Sequence, residues 1–269
     1  MLEEILSMHD SHYSSEEWLQ KLSQIGCVVE GSDEENIEIE VFPDRPDLLS
    51  HETMARAARA FLYDQLQKPS MEVTDGEISI DVDPSLREVR PVIFGAVVKG
   101  VNTGKNEKQK DAFIQSLMDH QEKLHLSIGR KRKFASIGVH DLSKIKPPFR
   151  YETVRGDFTF LPLASEREMS ISEILSEHPK GIEYASLMND FNLYPIILDS
   201  NDDVISFPPI INGDNTTVKE TTTDFFIDVT GTDERACEAC LLLVCLSLLE
   251  RGGEVESVQI NGWDNKISL

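Results

Sequence analysis

Apolar and polar positions alternate in two rhythms along this chain. Trp18, Leu19, Leu22 and Ile25 recur at helical spacing behind Ser14-x-x-Glu17, a capping-box pattern, which predicts a short amphipathic helix. Asn36 to Val41 alternates strictly and predicts a strand with one wet face. Pro43-Asp-Arg-Pro-Asp47 is a loop, because two prolines forbid a helix interior or an inner strand. Ser50 then caps a helix with apolar positions Met54, Ala57, Ala58, Phe61 and Leu62. Gln67 to Ser70 and Thr74 to Glu77 carry linker residues. Residues 1–75 thus read as a small N-terminal α/β domain.

Residues 76–269 form the second, larger unit. Strands are predicted at Ile78–Val82, Pro91–Val101, Phe134–Val139, Phe149–Val154, Pro195–Leu198, Val204–Phe207, Phe225–Val229 and Glu254–Ile260. The pair at 195–198 and 204–207, joined by a turn at 199–203, is a hairpin. Lys108 to Leu126 is helical, with Phe113, Leu117, His120 and Leu124 on its inner stripe. Ser170-x-x-Glu173 opens a short helix, and Thr232 caps a longer one over 233–251 that stops at Gly252-Gly253. Hairpins interrupted by occasional helices place the chain in the α+β class, with a mixed sheet and flanking helices rather than a doubly wound sheet.

Composition narrows the function classes. The chain has 269 residues and a formal net charge of −22. Such acidity argues against a general nucleic-acid binder, although a local basic patch still acts within its own Debye length of about 8 Å. A saline host, a partner that supplies basic surface, or plain solubility would each account for it. The richest apolar run, Leu241 to Leu249, is half the length of a membrane helix. The N-terminus lacks the basic and then apolar regions of a signal peptide, so a cytoplasmic location is expected. Cys237-x-x-Cys240 has no second pair or histidine at zinc spacing, and it lies in a helical pattern, so core packing is expected and no metal site.

Four segments carry candidate chemistry. Arg45 stands between Asp44 and Asp47 and can hold its loop by bidentate pairing. Arg130-Lys-Arg-Lys133 follows a helix C-terminus, and is either a phosphate-binding patch or a solvated loop. His140-Asp141 ends a strand with no adjacent nucleophile, so His140 is either an acid–base group or a positional one. Finally, Ile205-Ser-Phe-Pro-Pro-Ile-Ile-Asn212 leaves a strand through a double proline, and Asp228-Val-Thr-Gly231 ends another before a capped helix. Asp228 faces away from Ile227 and Val229, onto solvent or into a pocket. With Ser206 and Thr230 it suits recognition of an amine or a phenol and does not by itself make a catalytic triad; on spacing alone the better reading is an ordinary polar hairpin end. Walker, Rossmann, zincin and nucleophile-elbow patterns are missing from the sequence.

Seven segments in order resemble the archaeal and eukaryotic type of phenylalanyl-tRNA synthetase β subunit: Val41–Ser50, Leu124–Arg130, Ile137–Pro148, Glu177–Gly181, Ser206–Asn212, Phe226–Gly231 and Glu250–Gly253. The resemblance implies the N-terminal, editing part of such a subunit, with the editing domain at 76–269. It implies hydrolysis of tRNA(Phe) mischarged with tyrosine in a pocket of Ile197, Ser206, Asp228 and Thr230; the candidate roles are then catalysis for Asp228, Thr230 and Ser206, substrate binding for Ile197, His140 and Asn212, and tRNA binding for Arg130, Lys131 and Arg132. Ile197 stands where the family has leucine. Backbone N–H groups near Gly231 would meet the oxyanion. The implied holoenzyme is an α2β2 ligase using ATP and Mg²⁺ at a site in the α subunit, with no cofactor in this portion. Relatives begin with a longer strand and helix and continue well beyond residue 269. A fragment, a split-gene product or a free-standing relative is therefore expected. The alternatives in function are a free-standing trans-editing hydrolase and a non-catalytic assembly or tRNA-binding module.

Overall fold

The computed structural model of the chain describes residues 15–33, 37–62, 71–262 and 266–268. The predicted cap at Ser14, the first strand residue Asn36 and the linker at 67–70 lie outside these. A short helix, α1 (Ser15–Lys21), runs into a 3-10 turn at Leu22–Ile25, where Gly26 takes the left-handed φ of 87° that ends it. Strands β1 (Cys27–Ser32) and β2 (Ile37–Val41) pair antiparallel, and β2 alternates half-buried and exposed positions as its pattern predicts. Arg45 forks onto Asp47 (3.0 and 2.8 Å) and also donates to Ile25 O (2.7 Å), so the double-proline loop is clamped to the preceding turn. Ser50 caps helix α2 (His51–Leu62) through the Thr53 N–H at 3.1 Å. Phe61 was expected on the inner face of α2 but is 64% exposed.

A two-residue strand, β3 (Val73–Thr74), leads into the main sheet. Its members are β4 (Ser79–Val82), β5 (Val92–Lys99), β6 (Ala135–Asp141), β7 (Phe149–Val154), β10 (Tyr194–Leu198), β11 (Val204–Phe207), β12 (Ile211–Asn212), β13 (Phe225–Gly231), β14 (Glu254–Asn261) and β15 (Lys266–Ser268), of which β3 and β15 join only β14. The path runs β12-β11-β10-β7-β4-β14-β5-β13-β6, mixing parallel and antiparallel neighbours. Two short strands, β8 (Thr159–Phe160) and β9 (Met169–Ser170), form a separate pair. Among the described residues, the α-helices of this part are α3 (Glu107–Leu126), α4 (Ile171–Glu177), α5 (Pro179–Tyr184) and α6 (Glu234–Leu249). Ser170 and Glu173 form the expected capping box of α4. The cap of α6 is Asp233, not Thr232. Asp233 accepts from the Ala236 N–H, whereas the Thr232 hydroxyl donates to Lys133 O.

One face of β5, β13 and β6 packs on α3 and α6, burying Phe113, Leu117, Leu124, Phe225, Ile227 and Val229. Cys237, Cys240 and Cys245 are small apolar fillers of this core, and burial pushes the Cys240 thiol up to about 12. The other face is lined by Ile80, Val97, Tyr151, Ile205, Phe226 and Val258, drawn from β4, β5, β7, β11, β13 and β14 into one cluster. The sheet therefore curls around its own side chains, and its two ends, β6 and β12, approach each other.

The N-terminal unit keeps its own core of Leu22, Ile25, Cys27, Leu48 and Met54. It meets the C-terminal end of α6 through buried charge. Glu250 pairs with Arg59 (2.6 Å) and Arg56 (2.7 Å), and Arg251 pairs with Glu52 (2.7 Å) while lying 4.5 Å over the Phe113 ring. None of the helices among the described residues is long and apolar enough to cross a membrane.

Candidate functional site

The gap between the two ends of the curled sheet is a cleft of about 1010 Å³. Its floor is Asp228 of β13 with Ser136 to Val139 of β6. Asp228 lies in register between Gly95 on β5 and Gly138 on β6. A side chain at Gly138 would collide with Asp228 Oδ2 and with the His140 ring. That glycine is the notch in which the two groups meet. His140 Nε2 stands 2.7 Å from Asp228 Oδ2, and His140 Nδ1 stands 2.8 Å from the Thr216 hydroxyl. Phe226 stacks beneath the imidazole at 5.9 Å. Both partners are buried, yet Asp228 lines the cleft and its Oδ1 has no hydrogen-bond partner among the described residues.

Ser206 on β11 and Asn212 on β12 face this floor. The Ser206 hydroxyl donates to Asn212 Oδ1 at 3.2 Å, and between them the Pro208-Pro209 peptide bond is cis. Arg132 holds this loop. Its Nη1 donates to Pro209 O (3.2 Å) and Ile210 O (3.0 Å), its Nη2 to Glu122 (3.0 Å), and its guanidinium lies 4.4 Å over the Tyr184 ring. One side chain thus ties the segment before β6 to the loop before β12, the two ends of the sheet. The turn that carries it is strained: Arg130, Lys131 and Arg132 have φ of 49°, 54° and 65°, left-handed values that cost roughly 1 kcal/mol each for non-glycine residues. Phe134 N–H to Gly129 O (2.9 Å) closes the turn.

The outer edge of β6 is covered by α3. His125 Nε2 accepts from the Ile137 N–H (2.8 Å), and Gln121 donates to Ile137 O (2.6 Å). A backbone N–H can only donate, so the neutral His125 carries its proton on Nδ1, facing Glu122 at 3.4 Å. That bond, helped by Arg132, pulls the Glu122 carboxyl down to about 2 against the opposing effect of burial. Farther along the wall stand His178, whose partial burial lowers its affinity for a proton, and Arg167 and Lys180, each paired with glutamate. Carboxylates and cations share the lining, so the cleft is not a simple phosphate trough.

The expected site residues divide accordingly. Asp228, Ser206 and Asn212 come together on the cleft, with His140 directly behind Asp228. Thr230 does not line it. Its hydroxyl is taken by Arg90 Nε (2.9 Å) and lies 3.2 Å from Ser136, in a fully buried network. Gly231 is likewise part of the strand ladder rather than the cleft wall. Ile197 is packed in the core inside the curled sheet, without a surface in the cleft. Arg130 and Lys131 are exposed, but Arg132 is part of the wall. Sequence reasoning missed Gly138, Thr216 and Arg90. Gly138 was legible in principle, as a glycine two residues before His140 in a strand.

Three comparisons bear on this arrangement. The B3/4 domain family matches residues 89–240. The phenylalanine–tRNA ligase beta subunit of Archaeoglobus fulgidus is 48% identical over 90% of this chain and 43% of its own length. That of Methanosarcina barkeri is 49% identical over the same shares. This chain spans less than half the length of these curated relatives. Among solved structures, an N-terminal fragment of the phenylalanyl-tRNA synthetase beta-subunit from Pyrococcus horikoshii superposes with a TM-score of 0.91 at 32% identity, covering 98% of this chain and 77% of that one.

Proposed function

For a chain that belongs to the phenylalanyl-tRNA synthetase β-subunit family and carries its B3/4 domain, we propose hydrolytic editing of tRNA(Phe) mischarged with tyrosine. The observation that supports this reading is the bare Oδ1 of Asp228 in the cleft. A tyrosyl phenol can donate to it. A phenylalanyl ring leaves it desolvated and unpaired, the kind of mismatch by which polar sites reject an analogue lacking one hydroxyl. Ser206 and Asn212 line the opposite wall and stand ready for the α-amino group or the ribose. Water adds to the ester carbonyl, the C–O bond to the terminal ribose breaks, and tyrosine and free tRNA result. Thr230 and Arg90 support the floor rather than touch substrate.

In this reading the chain contributes only the proofreading cleft. ATP, Mg²⁺ and phenylalanyl transfer belong to a site in a separate α subunit, and tRNA(Phe) is the shared partner. Exposed Arg130 and Lys131 at the cleft rim are the phosphate contacts. The test is deacylation of Tyr-tRNA(Phe) by this chain and by Asp228→Ala. Loss of one hydrogen bond to a charged group is expected to slow the variant roughly tenfold to a hundredfold. Equal rates for the two proteins would overturn the assignment.

A further inference from the structure

A carboxylate on a strand does not fix its own orientation, and Asp228 has help. His140 reaches it across the Gly138 notch, and Thr216 reaches His140 from the other side. The Thr216 oxygen also lies 3.0 Å from Gly213 O. A hydroxyl has one proton, so two arrangements satisfy every atom. With neutral His140, Thr216 donates to Nδ1 and Nε2–H donates to Asp228. With protonated His140, Nδ1–H donates to Thr216, Thr216 turns to Gly213 O, and Nε2–H still donates to Asp228. The hydroxyl rotor thus accommodates either charge on the ring, and Asp228 Oδ2 receives a hydrogen bond in both. The remaining neutral tautomer would set an Nε2 lone pair against the carboxylate. Phe226 fixes the ring plane from below.

We propose that His140 and Thr216 are positioning residues that make Asp228 a one-sided acceptor, with Oδ2 occupied and Oδ1 held toward the ring-binding end of the cleft. They touch no substrate. Their effect is on selection between a ring with a para-hydroxyl and one without, rather than on ester cleavage as such. This rests on the editing reading above, and its test has one arm that does not.

The first arm is NMR of imidazole-labelled protein. A proton bound at His140 Nε2 is expected, with its shift changed in Asp228→Asn. An Nε2 without a proton overturns the inference whatever the enzymology shows. The second arm compares kcat/KM on Tyr-tRNA(Phe) and Phe-tRNA(Phe). His140→Phe, which keeps the ring on Phe226 but has no N–H, is expected to cut the tyrosine preference at least tenfold. Thr216→Val should cut it less, and Thr216→Ser and His140→Gln should restore most of it, since each supplies the missing donor or hydroxyl. Gly138→Ala, which fills the notch, should behave as His140→Phe does. Thermal unfolding of each variant separates a lost fold from a lost preference. If Asp228→Ala abolishes the preference while His140→Phe and Thr216→Val keep it, the positioning role fails and the editing reading stands. If the parent chain deacylates neither ester, the editing reading fails, and the NMR arm alone decides whether the pair is oriented as described.

Discussion

Replacing Arg132 by alanine separates two roles that its sequence context confounds. In a run of four cations it reads as a phosphate contact. In the structure its Nη1 is spent on the Pro209 and Ile210 carbonyls, its Nη2 on Glu122, and its plane on Tyr184. Shared between two carbonyls, Nη1 makes one good charge-assisted hydrogen bond, about 2 kcal/mol. The partly exposed stack on Tyr184 adds about 0.5–1 kcal/mol, and the half-exposed Glu122 pair about 0.5 kcal/mol. Arg132→Ala should therefore destabilise the fold by about 3 kcal/mol, or roughly 6–12 °C in Tm for a chain of this size. Arg132→Lys should recover little of that, because an ammonium cannot fork onto two carbonyls and stack at once. Binding of tRNA(Phe) as a function of salt supplies the contrast. Arg130→Ala and Lys131→Ala should each lower the slope of log K against log salt by about 0.9, and Arg132→Ala should leave it unchanged. An Arg132→Ala protein that melts with the parent and has lost one unit of salt slope would refute the reasoning.

Two further outcomes follow from buried charge. Glu250→Gln removes the anion shared by Arg56 and the buried Arg59, and an uncompensated buried charge costs about 3–5 kcal/mol, so denaturant unfolding should show a loss of that size with looser docking of α2 on α6; a loss under about 1 kcal/mol would show that the pair is dispensable. His120 is held neutral by burial, with Lys123 and His51 adding repulsion, and takes a proton only at about 4 rather than its ordinary 6.5. Between those values the unfolded chain binds more protons than the folded one, so stability should fall as pH drops from 6.5 toward 4, by up to ~3 kcal/mol from this residue; if urea unfolding of His120→Gln shows the same pH slope as the parent, the assignment is wrong.

Local signals carried much of the fold. The runs of β-favouring residues put β7 and β11 at their observed bounds, and the 3.6-residue stripe on α3 named most of the residues it buries. The small strands β3, β8, β9, β12 and β15 and the helix α5 went unread, with Thr74 of β3 taken for linker, because strands of two or three residues have no period and α5 begins at His178-Pro179, within a motif with no apolar rhythm. The site shows why spacing alone falls short. Asp228 and Thr230 lie on one face of one strand and look equivalent in sequence. What separates them comes from β6. Gly138 opposite Asp228 leaves space, while Ser136 opposite Thr230, together with Arg90 from a distant turn, fills it. Ile197 fails as a wall residue for a similar reason: the curl of the sheet turns it into the core. Such facts belong to cross-strand register, which no single segment contains.

The sheet's two ends are joined by a side chain and not by a strand ladder, and this has a consequence for what may bind there. A closed barrel offers a ligand no main-chain groups, since every one is already bonded to a neighbour. Here β6 has a strand on one side only, and its outer margin is met by side chains of α3 rather than by another strand. The same margin invites an extended segment of some other protein to add itself as another strand. Gln121 and His125 spend their side chains on Ile137, in the middle of that margin, and so break it into lengths too short to recruit one. The opening stays available to a small guest and closed to a polypeptide.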